Sequence, residues 1–283
     1  MVKNAFLDSI EKRVGSTIKK FSLFKKGEKI AVAVSGGKDS TACLYILKKL
    51  GYSPSALTVD AVIGNYTRQN LENLRIFCKE HDIKLEEVSF RKEFGHSLCY
   101  LRSILKEKGN SMQSCALCGI LRKYLLNKYA KKLGFDVIAT GHNLDDEAQS
   151  FVMNIFRNDI GSIKRSGPIS GSGNDDRFVK RVKPLYLVRE NETEKYSRLM
   201  KFPVKYGECP CSSDAFRRKF KYGLWKLEKS YPKAMENIVG FYLKTFNKKK
   251  NNSLTKINSC KECGEPSKES VCRACQIIEM LAR

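Results

Sequence analysis

The chain has 283 residues, 42% hydrophobic and 10% aromatic, enough for one medium domain with an appendage, and no apolar run has the length a bilayer demands. Lysine and arginine number 53 against 30 acidic residues, and the formal charge of +23 makes polyanions, nucleic acid above all, the leading partners. The first residues, MVKNAFLDSIEKRVGSTIKKF, lack the apolar core and small-residue cleavage site of a secretory signal, so the expected address is cytoplasmic, with no membrane partner.

That opening stretch alternates charged and apolar side chains at helical spacing. Residues 29–35 (KIAVAVS) read as a buried parallel strand, and residues 41–50 carry apolar side chains at helical spacing. A second strand over 55–62, a helix over 68–81 and a third strand over 84–90 follow. Residues 117–133 read as a long amphipathic helix, 136–140 as a strand and 145–156 as another helix. Strands alternating with helices predict an α/β fold built on a doubly wound parallel sheet, with ligands at the C-terminal ends of the strands. The stretch SGPISGSGNDD (166–176) reads as a mobile loop. Residues 216–226 interleave basic and aromatic side chains, the pattern of a helix that tracks RNA phosphates, and NKKKNNSLTKIN (247–258) is a polar linker.

Between the first strand and its helix lies SGGKDS, residues 35–40. A strand, a turn of glycines and hydroxyls, and a helix start aim backbone N–H groups and the positive end of the helix dipole at one point, which fits phosphate. Gly36 and Gly37 let the backbone approach closely, Lys38 neutralises charge, and Ser35 and Ser40 donate hydrogen bonds. The spacing differs from that of a Walker-type GxxxxGK[ST] loop.

Eleven cysteines without a secretory signal point to metals or catalysis rather than disulfides. Cys115 and Cys118 form a CxxC, Cys209 and Cys211 a CPC, and Cys43, Cys78 and Cys99 read as small buried hydrophobes. Taken alone, Cys115 and Cys118 also fit a redox pair that passes persulfide sulfur through a disulfide. Cys260, Cys263, Cys272 and Cys275 make two CxxC pairs eight residues apart, the pattern of a structural zinc site, with a second iron-sulfur cluster as the competitor.

Together these motifs carry a resemblance. SGGKDS is similar to the PP-loop of ATP pyrophosphatases, which adenylate a carbonyl oxygen and release pyrophosphate. Thr140-Gly141-His142-Asn143-Leu144-Asp145-Asp146 looks like a second signature of that group. Cys115-Ala116-Leu117-Cys118-Gly119 with Arg122 and Lys123 beyond it, Glu208-Cys209-Pro210 and the C-terminal cysteine pairs resemble the tRNA 2-thiouridine synthetases of the TtuA/NcsA type, over residues 29–283.

The resemblance implies ATP with magnesium at Ser35, Gly36, Gly37, Lys38, Asp39, Ser40, Asp60 and Gly141, and a 4Fe-4S cluster on Cys115, Cys118 and Cys209. It implies zinc on Cys260, Cys263, Cys272 and Cys275, with Cys211 a spare thiol and His142 near the nucleotide. Gly64-Asn65-Tyr66 resembles a family loop near the nucleotide and by itself reads as an ordinary turn. The implied reaction is adenylation of a tRNA uridine C2 oxygen, then attack by a cluster-bound hydrosulfide. Asp146 is the candidate acid/base or orienting group, and Arg122 or Lys123 steadies the developing charge. Three thiolates on a four-iron cluster leave one iron without a protein ligand.

The expected division is 1–28, an N-terminal helix; 29–190, the PP-loop ATP-binding domain; 191–250, a helical part with the third cluster cysteine; and 251–283, a zinc-binding tail. Expected partners are tRNA, a sulfur donor in the form of sulfide or a ubiquitin-like carrier's thiocarboxylate, and a second copy in a homodimer. Family members usually begin with another cysteine-rich zinc finger, whereas residues 1–28 contain no cysteine. That difference keeps a tRNA 2-thiocytidine synthetase in view, beside a persulfide-based thiolase without a cluster. A lysidine-type or amidotransferase-like ligase with structural zinc only, and a zinc-stabilised RNA-binding adaptor, are the readings from other classes.

Overall fold

The structure, a computed structural model, describes residues 2–170, 178–207, 209–212, 216–246, 258–267 and 269–282. Strands β1 (Ile30–Val34), β2 (Ser55–Asp60), β3 (Leu85–Ser89), β4 (Val137–Thr140), β5 (Ile169–Ser170) and β6 (Lys180–Val182) form one sheet in the order 3-2-1-4-6-5. All its pairings are parallel except that of β5 with β6. The register sets Ala31 opposite Ser55 on one side and opposite Ile138 on the other.

Alternation along the strands feeds two cores. Ile30, Val32, Val34, Ala56, Val137 and Ala139 face one layer, built by α1 (Val2–Phe21), α2 (Lys38–Lys49) and α3 (Gly64–Glu80). Ala31, Leu57, Val59, Val88 and Ile138 face the other, which follows the short α4 (Phe90–Phe94) and is built by α5 (Leu98–Glu107) and α6 (Ser114–Lys132). A sheet covered on both faces accounts for the unbroken apolar run of β1. In α1, Ile10, Val14 and Ile18 are buried at four-residue spacing, each contributing about 1.5–3 kcal/mol relative to exposure.

Beyond β4 come α7 (Leu144–Phe156), α8 (Ile160–Arg165), α9 (Glu190–Leu199), α10 (Phe216–Ser230) and α11 (Ala234–Thr245). Helices α10 and α11 pack on α7 through Leu224, Met235 and Val239 against Leu144 and Ala148. The tail is a hairpin, β7 (Asn258–Ser259) with β8 (Pro266–Ser267), followed by α12 (Arg273–Ala282). Ile277 of α12 is buried in the core shared with α5 and α6, and Lys108 Nζ donates to Met280 O at 2.8 Å.

The expected doubly wound parallel sheet is present, with differences in detail. Gly64, Asn65 and Tyr66 are not a free turn but the first turn of α3, where Ile63 N–H donates to Thr67 Oγ1 at 2.9 Å. Within the segment read as a mobile loop, Ile169–Ser170 pair as an edge strand; residues 171–177 lie outside the described residues. So do Glu208 and the linker over 247–257. Cys43 and Cys78 are buried as expected, whereas Cys99 is exposed. Among the described residues no helix is long and apolar enough to cross a membrane.

Candidate active site

Strands β1 and β4 are neighbours from which the chain crosses over to opposite sides, so their C-terminal ends flank the crevice where such sheets bind ligands. Ser35 follows β1, Asp60 ends β2 and Thr140 ends β4. The SGGKDS turn closes on itself: Ser35 N–H donates to Ser40 Oγ (3.2 Å), whose hydroxyl donates to Gly37 O (3.1 Å). Gly36 has φ +76°, and a Cβ there would lie 2.6 Å from Asn70 O. A Cβ on Gly141 would lie 2.6 Å from Ser40 N. Both signature turns therefore need glycine, because backbone meets backbone.

Charged side chains tie these turns to the later helices. Lys38 Nζ lies 2.8 Å from Asp39 Oδ2 and 3.2 Å from Glu190 Oε1, and Lys221 of α10 reaches the same Glu190 oxygen at 2.8 Å. Burial opposes the charge on Lys38, but Asp39 and Glu190 together hold its pKa above the usual value. Burial raises the carboxyl of Asp39, and Lys38 and the Thr193 hydroxyl that donates to it pull it back. Asn143 and Asp146 form a capping box on α7: Asp146 N–H donates to Asn143 Oδ1 at 3.0 Å, and Asn143 N–H donates to Asp146 Oδ2 at 3.2 Å. Against the penalty of burial, Arg217, His142 and that backbone N–H hold the Asp146 carboxyl below the carboxylate range. Arg189 gathers Asp145, Glu228 and Glu236 at 2.8–3.0 Å, joining α7, α10 and α11.

A cavity of about 280 Å³ opens beside this turn, lined by Ser35, Asp60, Tyr66 and Asn70 and also by Cys115, Cys118, Arg122, Cys209 and Cys211. Helix α6 brings Cys115 and Cys118 to its first turns, and the 3-10 turn Pro210–Ser212 packs against the same helix. Cys115 Sγ donates to Cys211 O at 3.3 Å. Burial pushes the Cys118 thiol up, while Arg122, hydrogen-bonded to it, pulls it down. Among the described residues, two buried polar atoms of the lining, Arg122 Nε and Asn70 Oδ1, have no hydrogen-bond partner, an arrangement that fits a polar occupant.

The second cysteine set is built differently. The sulfurs of Cys260, Cys263, Cys272 and Cys275 all lie within 4.8 Å of one another. Cys272 N–H points at Cys260 Sγ (3.2 Å) and Cys275 N–H at Cys272 Sγ (3.4 Å). Burial opposes it, yet backbone N–H groups of Cys272, Cys263 and Glu262 hold the Cys260 thiol down at about 6. Four converging sulfurs, with N–H groups donating to two of them, suit a closed tetrahedral zinc site.

Of the residues expected at the site, Ser35, Asp60, Arg122 and the three cysteines Cys115, Cys118 and Cys209 share one cavity. Gly36, Gly37, Lys38, Asp39, Ser40 and Gly141 adjoin it in the two turns, whereas Asp146 and Lys123 are not part of its lining. Tyr66, part of the loop expected near the nucleotide, lines the cavity, whereas Glu190, Arg189 and Asn70 were not singled out for the site by their types. Only packing shows them, because Glu190 is one of several acids in the charged helix α9.

The PP-loop domain model matches residues 7–218. The tRNA-5-methyluridine(54) 2-sulfurtransferase of Pyrococcus horikoshii is 35% identical over 275 residues, covering 96% of this chain and 85% of the relative. The tRNA 2-thiolation protein NcsA of Haloferax volcanii is 31% identical, covering 98% and 91%. Among solved structures, the U34-tRNA thiolase NcsA from Methanococcus maripaludis with its [4Fe-4S] cluster superposes with a TM-score of 0.82 at 27% identity, over 98% of this chain and 88% of that one. The fold and its nucleotide turn define a PP-loop protein. The chain belongs to the PP-loop family, among the tRNA 2-thiolation proteins of the TtuA/NcsA type.

Proposed function

We propose that the chain is an ATP-dependent tRNA 2-thiolation enzyme that adenylates a uridine C2 oxygen and replaces it with sulfur. The observation that carries this is a cavity whose lining joins Ser35 of the phosphate-binding turn and Asp60 to Cys115, Cys118 and Cys209. The chemistry requires such a union. A carbonyl oxygen is a poor leaving group, and transfer of AMP from ATP to that oxygen, with release of pyrophosphate, lets it leave as AMP when sulfur adds at C2.

In this reading the backbone around Gly36 and Gly37, Lys38 and the Ser35 and Ser40 hydroxyls hold the phosphates, and Gly141 keeps the second turn against them. Asp39 is the carboxylate nearest Lys38 and would share the magnesium that accompanies ATP. Asp146 acts as the orienting group, since its carboxylate is spent on the α7 cap. Arg122 steadies negative charge in the cavity, and Lys123 adds to the field from the same helix turn. Cys115, Cys118 and Cys209 would hold a 4Fe-4S cluster, which supplies an iron without a protein ligand where sulfur can be carried. The C-terminal quartet would hold zinc as a structural ion, pinning α12 to α5 and α6.

We assign nucleotide chemistry to residues 29–190, the third cluster cysteine and tRNA contacts to 191–250, and zinc to 251–283, behind the 1–28 helix. Helix α10 supports the tRNA assignment. Tyr222 and Trp225 are 48% and 41% exposed with ring centroids 5.9 Å apart, and Lys221 Nζ lies 4.7 Å from the Trp225 ring. Exposed rings beside cations suit unpaired bases and phosphates. The test is anaerobic purification with iron, acid-labile sulfide and zinc measured per chain, followed by ATP-dependent thiolation of tRNA. About four irons and one zinc, with AMP and 2-thiouridine formed together, is the expected result; zinc without iron overturns the cluster assignment.

A further inference from the structure

Asn70 is a polar residue inside a helix, yet it is only 6% exposed and belongs to the wall of the cavity. Helix α3 presents it with Tyr66, and α6 presents Arg122 with Cys118, each pair four residues apart and therefore on one helix face. Among the described residues, Asn70 Oδ1 is a buried acceptor and Arg122 Nε a buried donor without a partner. Unmatched buried polar groups are costly, and an occupant that pairs with both removes that cost. A planar base with an N–H beside a carbonyl is such an occupant. Adenine also offers a donor beside an acceptor, but the ribose separates it from its phosphates. Asn70, by contrast, touches the phosphate turn itself: a Cβ on Gly36 would lie 2.6 Å from Asn70 O and 2.9 Å from Asn70 Cβ. The base that is adenylated must reach both that turn and the sulfur, and Cys118 and Cys209 line the same cavity.

We propose that Asn70 determines which base is thiolated: its Oδ1 accepts from uridine N3–H, while Arg122 Nε–H donates to one of the two carbonyl oxygens that flank N3. Cytidine carries the same C2 oxygen, but its N3 is unprotonated, and its lone pair would face the Asn70 oxygen. The amide does not turn over to suit cytidine, because its N–H donates to the Tyr66 hydroxyl. Rejection of this kind is strong, since a site built to receive an N–H is left unpaired by the analogue that lacks it. The assignment rests on the thiolation reading and adds to it how uridine is told from cytidine.

The test gives the full-length holoprotein, prepared without oxygen, ATP, inorganic sulfide and an unmodified tRNA transcript. The thiolated position is located by nuclease digestion and mass spectrometry, and transcripts with cytidine or 3-methyluridine at that position are then compared. Wild type is expected to prefer uridine to cytidine in kcat/KM by roughly ten-thousandfold, and to use 3-methyluridine, which has no N3–H, as poorly as cytidine. Asn70→Leu keeps a branched side chain without the acceptor. Its rate with uridine should fall about ten- to a hundredfold and its preference for uridine over cytidine should shrink by about a hundredfold, with the KM for ATP within about twofold of wild type. Asn70→Asp keeps an acceptor oxygen and should keep the preference. Equal use of uridine and 3-methyluridine by wild type overturns the assignment without any variant, as does a uridine preference that survives in Asn70→Leu. A KM for ATP raised about tenfold or more in Asn70→Leu, with the base preference intact, would place Asn70 on adenine instead. If wild type thiolates neither uridine nor cytidine, the proposed function itself fails and this assignment with it; if it thiolates and only the preference ignores Asn70, the assignment alone fails.

Discussion

The cavity cysteines and the tail cysteines are both quartets of thiols on short turns and helix starts, yet the molecule holds them in opposite ways. Cys260, Cys263, Cys272 and Cys275 converge within 4.8 Å with backbone N–H groups aimed at two of their sulfurs. Cys115, Cys118, Cys209 and Cys211 are spread around a space of about 280 Å³ that they share with the phosphate turn. A closed set of sulfurs suits one ion and leaves nothing for chemistry. An open set beside a nucleotide site leaves room for a larger inorganic group and for substrate.

The most direct way to break this comparison is Cys209→Ala. It should abolish iron binding and lower thiolation by about a hundredfold or more, as expected when a transition-state partner is lost, while zinc per chain is unchanged. Equal activity in wild type and variant would sink the cluster assignment. Arg122→Met comes next. It removes the cation beside Cys118, and kcat should fall about ten- to a hundredfold with iron content preserved. Loss of iron in that variant would show that Arg122 holds the thiolates rather than the reacting charge.

Cys263→Ser acts on the other set. Zinc should be lost and the tail should unfold, since structural zinc sites contribute on the order of 10 kcal/mol to small metal-bound folds. Ile277 would leave its buried place against α5 and α6, read as new protease cleavage of the tail. Iron should remain and thiolation should fall less than tenfold, a loss of under about 1.4 kcal/mol in the barrier. A hundredfold loss would mean that the tail helps to shape the cavity.

The two sets also differ in how far they could be read from sequence. The tail quartet is legible by spacing alone, because its ligands come from two local turns. The SGGKDS turn and the alternating β1 to β4 are legible for the same reason, each being a local pattern. The placing of Cys209 and Cys211 beside Cys115 and Cys118 is not, because it depends on how the 210–212 turn packs on α6. Residues 64–66 were read as a turn because Gly and Asn favour turns. The helix starts there because Thr67 accepts the Ile63 N–H and Gly64 tolerates φ +49°. Glu190 was missed because one acid in a charged helix carries no signal until Lys38 and Lys221 are seen to meet on it.

Glu190→Gln gives the smallest expected effect and the finest division between the two sets, because Glu190 touches neither. Its carboxylate accepts from Lys38 and tethers Lys221 of α10. Removing the charge leaves Lys38 with Asp39 as its remaining carboxylate partner, so it becomes more available to an anionic ligand. The KM for ATP should fall about two- to fivefold, equivalent to roughly 0.4–1 kcal/mol, a range expected for a partly exposed ion pair. Because α10 loses one tether, tRNA affinity should weaken by a similar factor. Iron and zinc contents should match wild type. A rise in the KM for ATP would show that Glu190 itself holds the nucleotide or its magnesium, placing a carboxylate from α9 among the site residues.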